Sequence, residues 1–134
     1  MQVVCHSISG KVLPENARIM GETDGTDFSP LLVGHQYGVY GLMFYSARVD
    51  FLICPSSSGP VWVPSNLFDV IDEKIPDKWG CVITEKSKEY SDLQESFGIQ
   101  SICGYLELVR SFKHYVGILE RDPDDLKIFY QLNN

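Results

Sequence analysis

The strongest constraint on how this chain folds is the stretch 31–64. There three runs rich in β-branched and aromatic residues, "LLVGHQYGVYGLMFY", "SARVDFLIC" and "PVWV", follow one another, broken by Ser46-Ala47 and by Pro55-Ser56-Ser57-Ser58-Gly59-Pro60. Side chains of this kind fit a pleated, half-buried surface, and the breaks supply turn residues, so the stretch reads as an antiparallel meander. In the first run strict alternation points Tyr37, Val39, Gly41, Met43 and Tyr45 one way and Gly38, Tyr40, Leu42 and Phe44 the other. Both sets are apolar or small, which predicts a central or strongly curved strand with glycines where it bends.

Pro64 stops the third strand, Ser65-Asn66 offers turn chemistry, and Leu67 to Ile71 begins another extended run. Upstream, Gln2 to His6 reads as a strand, followed by turn signals at Ser9-Gly10 and Asp24-Gly25 and a short apolar piece from Ala17 to Met20. After Trp79 the apolar spacing lengthens toward 3.6. Ser87 to Phe97 sets Tyr90, Leu93 and Phe97 on one side with Gly98 as a stop, and Ser91-x-x-Gln94 is an alternative capping-box start. Ile102, Tyr105, Leu106 and Val109 follow Ser101 at helical spacing, and Phe112, Tyr115, Val116 and Leu119 repeat it after Ser111. Asp122 before Pro123, with Asp125 three positions on, predicts a capped helix with Leu126, Phe129 and Tyr130 on its apolar face.

These elements predict an α+β fold: a small, curved antiparallel sheet or barrel followed by three or four short C-terminal helices. The expected organisation is a single domain over 1–134, β-rich to residue 83 and helical from 84, with one shared core. The Ser56-Ser57-Ser58 run is read as a hairpin loop, too short to separate two units. A chain of 134 residues is large enough to bury such a core without staples.

Eleven Lys and Arg against 18 Asp and Glu give a net charge of −7. That balance repels phosphate backbones and anionic membranes and favours a basic partner. Lys and Arg are isolated, so the electrostatic footprint of a nucleic-acid binder is missing. Acids gather at Glu22-Asp24-Asp27, at Asp69-Asp72-Glu73-Asp77 and at Glu120-Asp122-Asp124-Asp125. No apolar run approaches the roughly 20 residues of a membrane span, and the start of the chain lacks a secretory pattern, so a cytoplasmic protein is expected.

Cys5, Cys54, Cys81 and Cys103 lie in apolar contexts with no Cys-x-x-Cys pair, which predicts four free, mostly buried thiols. The histidines, His6, His35 and His114, fall on three different predicted elements, and no metal or cofactor is expected. The Gly-x-Ser-x-Gly elbow and the phosphate loop are both missing, so no catalytic set is expected. The remaining function class is a protein surface, with Tyr40, Tyr45, Asp69, Asp72, Glu73, Asp77 and Asp124 as candidate partner-binding residues. Trp62 and Trp79 are read as core, Trp62 with Pro64 fixing the corner after the third strand.

Two resemblances bear on this reading. Val63-Pro64-Ser65-Asn66 resembles the turn of SH3 domains in which a single helical turn joins the last two strands of a five-stranded barrel. The peptide-binding residues of that family do not carry over, since Leu67 stands where an aromatic follows Ser-Asn and neither the Ala-Leu-Tyr-Asp-Tyr opening nor a tandem Trp is present. The stretch 31–79, with Gly-x-x-Tyr-x-Val-Tyr-Gly and Pro-x-Trp-x-Pro-x-x-Leu-Phe-x-Val-x-Asp, resembles immunity proteins of bacterial polymorphic and contact-dependent growth-inhibition toxins. That resemblance implies a cytoplasmic, non-catalytic protein that binds and neutralises a cognate toxin domain, a basic one if charge guides the pairing. The alternatives are an SH3-like interaction module of another role, which Trp62 with Tyr40 or Tyr45 lining an exposed groove would favour, and an unrecognised enzyme, which a pocket joining His35 or His114 to a cysteine would favour.

Overall fold

A computed structural model describes residues 1–56 and 59–133. Its strands are β1 (Gln2–Cys5), β2 (Gln36–Phe44), β3 (Val49–Ile53), β4 (Val61–Pro64), β5 (Phe68–Asp72), β6 (Gly80–Ile83) and β7 (Ser101–Gly104). Its helices are α1 (Ser91–Phe97), α2 (Leu106–Arg110), α3 (Phe112–Leu119) and α4 (Pro123–Leu132). The strands run β4-β3-β2-β1-β5, with β7 also beside β2 and β6 outside β7, and every pairing is antiparallel. The expected meander is β2-β3-β4. A single helical turn at Ser65–Leu67 then leads into β5, which returns beside β1. This is the strand order of an SH3-like sheet, and with the helices it makes an α+β fold. Ser57 and Ser58, part of the predicted hairpin loop, lie outside the described residues.

β2 can hold two neighbours on one side because it is long. β1 takes Gln36–Gly38 and β7 takes Gly41–Phe44, while β3 runs along the other edge. The register against β3 slips between Val39 and Gly41, so Tyr40 is an extra residue in the ladder. Such a bulge bends the strand and inverts the alternation beyond it. The two predicted faces of β2 are corrected accordingly: Tyr37 and Val39 share a core with Leu42 and Phe44, whereas Tyr40, Met43 and Tyr45 face the helices.

Two apolar cores result. One lies within the curved sheet, from Val3, Val39, Leu42, Phe51, Ile53, Leu67 and Phe68, and the other joins the sheet to the helices through Met43, Leu52, Ile102, Leu108, Tyr115 and Phe129. Glycines seat α2 on the sheet. Gly41 and Gly80 both lie opposite Gly104, and a Cβ on Gly104 would meet Leu108 Cδ2 at 2.7 Å, one on Gly41 the same atom at 2.9 Å, and one on Gly80 Leu106 Cδ2 at 3.0 Å.

The helical reading of 101–109 is corrected at its first half. Ser101–Gly104 is β7, filling the slot between β2 and β6, and α2 starts at Leu106. Ile102 and Gly104 alternate with less buried neighbours, a two-residue period that four residues also allow to be read as helical. The part after residue 83 is therefore not purely helical. The other helix signals match: Gly98 ends α1 with φ 70°, Ser111 caps α3 by accepting from the His114 amide, and Asp122 caps α4 by accepting from the Asp125 amide. The capping box does not form, because the Ser91 hydroxyl donates back to the Lys88 carbonyl. The cysteines are free, but only Cys5 is buried; Cys54 and Cys103 are half-buried and Cys81 is exposed. Cys81 lies on a strand whose outer edge no described strand covers, which removes the expected shelter.

Candidate functional site

β5 ends the sheet, pairing with β1 and with no other described strand. Phe68 anchors it in the inner core, and beyond that Asp69–Asp72 are exposed on both faces. Val70 and Ile71 are 48 and 51% accessible, and Ile75 just past the strand is 50% accessible. Between 69 and 77 stand four acids and a single base, Lys74. The Asp72 carboxylate accepts from the Lys74 amide at 3.0 Å, turning the chain off the strand. The predicted Asp69, Asp72, Glu73 and Asp77 thus form one exposed segment, and no ion pair involves any of them among the described residues.

A cleft of about 610 Å³ opens beside that segment. Pro76, Lys78 and Trp79 form one wall, Gln2, which pairs with Asp72, another, and Tyr40 and Tyr105 line it further in. Tyr40 is half-buried, its ring set edge-on to Phe129 at 5.0 Å. Burial, and then the nearby Cys54, raise its hydroxyl above the ordinary tyrosine range. Tyr40 thus lines a cleft flanked by the acidic segment, while Asp69, Asp72, Glu73 and Asp77 lie outside its lining. Asp124 does not join this lining; it is exposed in the first turn of α4.

Tyr45 lies elsewhere, in a cavity of about 420 Å³ between the β1–β2 connection, β4 and the helices. Trp62, Met43 and Tyr115 line its walls, and the exposed Met20, Phe97 and Leu119 contribute to its apolar surface. The Trp62 indole N–H is buried and finds no hydrogen-bond acceptor among the described residues. One end of the cavity is ionic. Arg48 Nε and Nη2 donate to the two Asp50 oxygens at 2.7 and 3.2 Å, and Nη1 donates to Glu22 at 2.7 Å and to the Ala17 carbonyl at 3.1 Å. The Arg48 side chain is only 3% accessible, and its guanidinium sits 5.8 Å from the centre of the Tyr45 ring.

Burial pushes the Asp50 carboxyl above its ordinary value and outweighs the bonds from Arg48. Burial also acts on Glu22, but the bonds from Arg48 and from the Met20 amide more than offset it, so Glu22 titrates lower than usual. The Tyr45 hydroxyl is pushed up to about 12 by burial and by the Asp50 charge. Arg48 was not among the candidates. Its signal was the Arg-x-Asp spacing within an apolar strand, which places both side chains on one face.

A second buried polar group ties the helices together. His114, 1% accessible, faces the Tyr105 hydroxyl through Nε2 at 2.8 Å and Asp125 through Nδ1 at 2.9 Å. An ionised carboxylate only accepts, so Nδ1–H donates to Asp125, and on a neutral imidazole Nε2 accepts the tyrosine proton. Burial works against the Asp125 charge, but the bonds with His114 and Asp122 and the charge of Lys113 prevail and hold its carboxyl below the ordinary range. Gly117 makes room for this carboxylate, since a Cβ there would collide with it. Neither His35 nor His114 lines either concave surface, and neither is hydrogen-bonded through its ring to a cysteine among the described residues.

No family model, curated protein or solved structure matches the chain. No helix among the described residues is long and apolar enough to cross a membrane.

Proposed function

We propose that the protein is a non-catalytic binding protein that neutralises a cognate toxin domain, acting in the bacterial cytoplasm as an immunity partner. The observation that carries this reading is the end of the sheet, where exposed Val70, Ile71 and Ile75 stand among Asp69, Asp72, Glu73 and Asp77 on a strand with an open edge. An open edge offers backbone donors and acceptors to an added strand, and apolar side chains beside them supply contact area. The acids steer a basic domain toward that edge and disfavour an acidic one. The Tyr40 and Trp79 cleft next to it receives a side chain of the partner.

Co-expression with basic toxin C-terminal domains of the polymorphic and contact-dependent type tests the reading. Restored host growth with a co-purifying complex is the expected result; a panel of folded, toxic domains of which none binds or is neutralised would refute it. A second binding mode has its own observation, since Trp62 and Tyr45 line the same cavity. In that mode the protein is an interaction module that takes an apolar anchor between Met20, Phe97 and Leu119. Phe97→Ser with Leu119→Ser would then abolish the complex, whereas removing the charges of the β5 segment would leave it intact.

A further inference from the structure

Cys81 and Cys103 occupy directly opposed positions on the antiparallel strands β6 and β7. The two sulfurs are 2.7 Å apart, the Cys103 thiol donating to Cys81. Opposed residues on antiparallel strands have Cα atoms about 4.5–5.5 Å apart, within the roughly 4.4–6.8 Å that a disulfide spans. The remaining thiols are placed otherwise: Cys5 is buried and donates to the Ser7 carbonyl, and Cys54 donates to the Ser56 carbonyl.

We propose that Cys81 and Cys103 form a redox-active dithiol pair, converted to a cross-strand disulfide by low-molecular-weight disulfides of the glutathione type. Cys81 is the exposed member and meets the oxidant first. Its thiolate attacks one sulfur of the small disulfide, forming a mixed disulfide and expelling one small thiolate. Cys103 then gives up its proton, attacks the Cys81 sulfur and expels the second small thiolate. Two protein thiols are oxidised by two electrons, one small disulfide is reduced to two thiols, and the thiol protons pass to the expelled thiolates.

The asymmetry of the pair suits these roles. The Cys103 thiol is pushed up to about 12 by burial and by its bond to Cys81, so it stays protonated while its neighbour reacts. The short sulfur–sulfur approach leaves the Cys103 sulfur beside Cys81 for the second step once Cys81 carries the small thiol. The consequence lies in the sheet: β7 is β6's partner in the ladder, and β6 follows directly on Trp79 of the cleft wall. The bond would pin this outer strand to β7 and close the chain segment that contains α1. In a reducing compartment such a pair is expected to be transient and sensing.

The test is to incubate the folded, reduced protein with oxidised glutathione and follow thiol count, mass and peptide map. The expected product loses two thiols and two hydrogens, carries no glutathione, and yields a linked peptide joining Cys81 to Cys103. Cys103→Ser should stop with one glutathionyl group on Cys81, and Cys81→Ser should react far more slowly. A wild-type protein that accumulates the Cys81 mixed disulfide without resolving it, keeps both thiols free, or links Cys54 instead would overturn the proposal. Circular dichroism of each variant before oxidation verifies that it is folded, and Cys81, being exposed, tolerates serine.

Discussion

The acids of the β5 segment and the acids buried elsewhere are the same residue types put to opposite uses. Glu22, Asp50 and Asp125 each have a cationic or imidazole partner at hydrogen-bond distance and lie almost out of solvent. Asp69, Asp72, Glu73 and Asp77 are exposed and, among the described residues, form no ion pair. The first set joins pieces of chain, Arg48 linking the β1–β2 connection to β3 and His114 linking α3 to α4. Among the described residues the second set joins no distant pieces of chain, Asp72 bonding locally to the Lys74 amide. The comparison teaches that a cluster of acids becomes structural where the fold buries a cation against it, and remains available to a partner where the chain runs along an open edge.

The largest effect that would sharpen this contrast is at Arg48. Arg48→Met keeps the volume but strands Glu22 and Asp50 without their cation, and breaking a buried pair in this way costs about 3–5 kcal/mol. Urea unfolding monitored by tryptophan fluorescence measures it, and a loss under about 1 kcal/mol would make the cluster a surface pair in disguise. Next in size, Asp125→Ala leaves His114 and Tyr105 without their anchor and is expected to cost about 1–3 kcal/mol. Gly117→Ala, which drives a methyl into the same carboxylate, should destabilise too and should not add to the Asp125 variant in full.

The pH dependence of stability separates the buried acids from one another. The folded Asp125 carboxyl titrates below its unfolded value, so its contribution is complete above the unfolded pKa and is lost as pH falls through the folded one. Glu22 behaves alike. Asp50 has the opposite sign: its folded pKa is raised, so its contribution is fully present below the unfolded pKa and is lost as pH rises through the folded one. Asp125→Asn should therefore flatten the acid limb of the stability profile and Asp50→Asn should steepen it. Equal slopes in both variants would break the distinction.

The smallest stability effect is expected at the open edge. Asp69→Asn, Asp72→Asn, Glu73→Gln and Asp77→Asn together should change stability by no more than about 0.5 kcal/mol, as surface substitutions usually do. The same variant should associate more slowly with its basic partner and lose most of the salt dependence of the association rate. Stopped-flow mixing at several ionic strengths reads both. Unchanged kinetics would remove these acids from the binding surface.

Much of the fold could be read ahead because local chemistry and tertiary packing agree there. The β2-β3-β4 meander, the turn after Pro64, Gly98 and the two caps at Ser111 and Asp122 all rest on single-residue signals that the surroundings leave intact. Residues 101–104 resisted such reading because a four-residue strand between two partners carries too short a period to separate from the helix that follows. The bulge at Tyr40 resisted it because the slip depends on the partner strand. The three acidic clusters looked alike in sequence. Arg48 and His114, which claim members of two of them, come from 26 and 11 residues away, a pairing only the fold creates. Tyr40 and Tyr45 both face the helices, yet five positions along the strand set them in different hollows.

The measurement that tests the central claim most directly is backbone amide exchange of the free protein against its complex with the co-expressed toxin domain. The account predicts that slowing of exchange centres on Asp69–Asp72 and the following residues to Trp79, with the Arg48 and His114 surroundings unchanged. Slowing confined to the rim of the other cavity, at Met20, Phe97 and Leu119, with the β5 segment exchanging as freely as before, would contradict it.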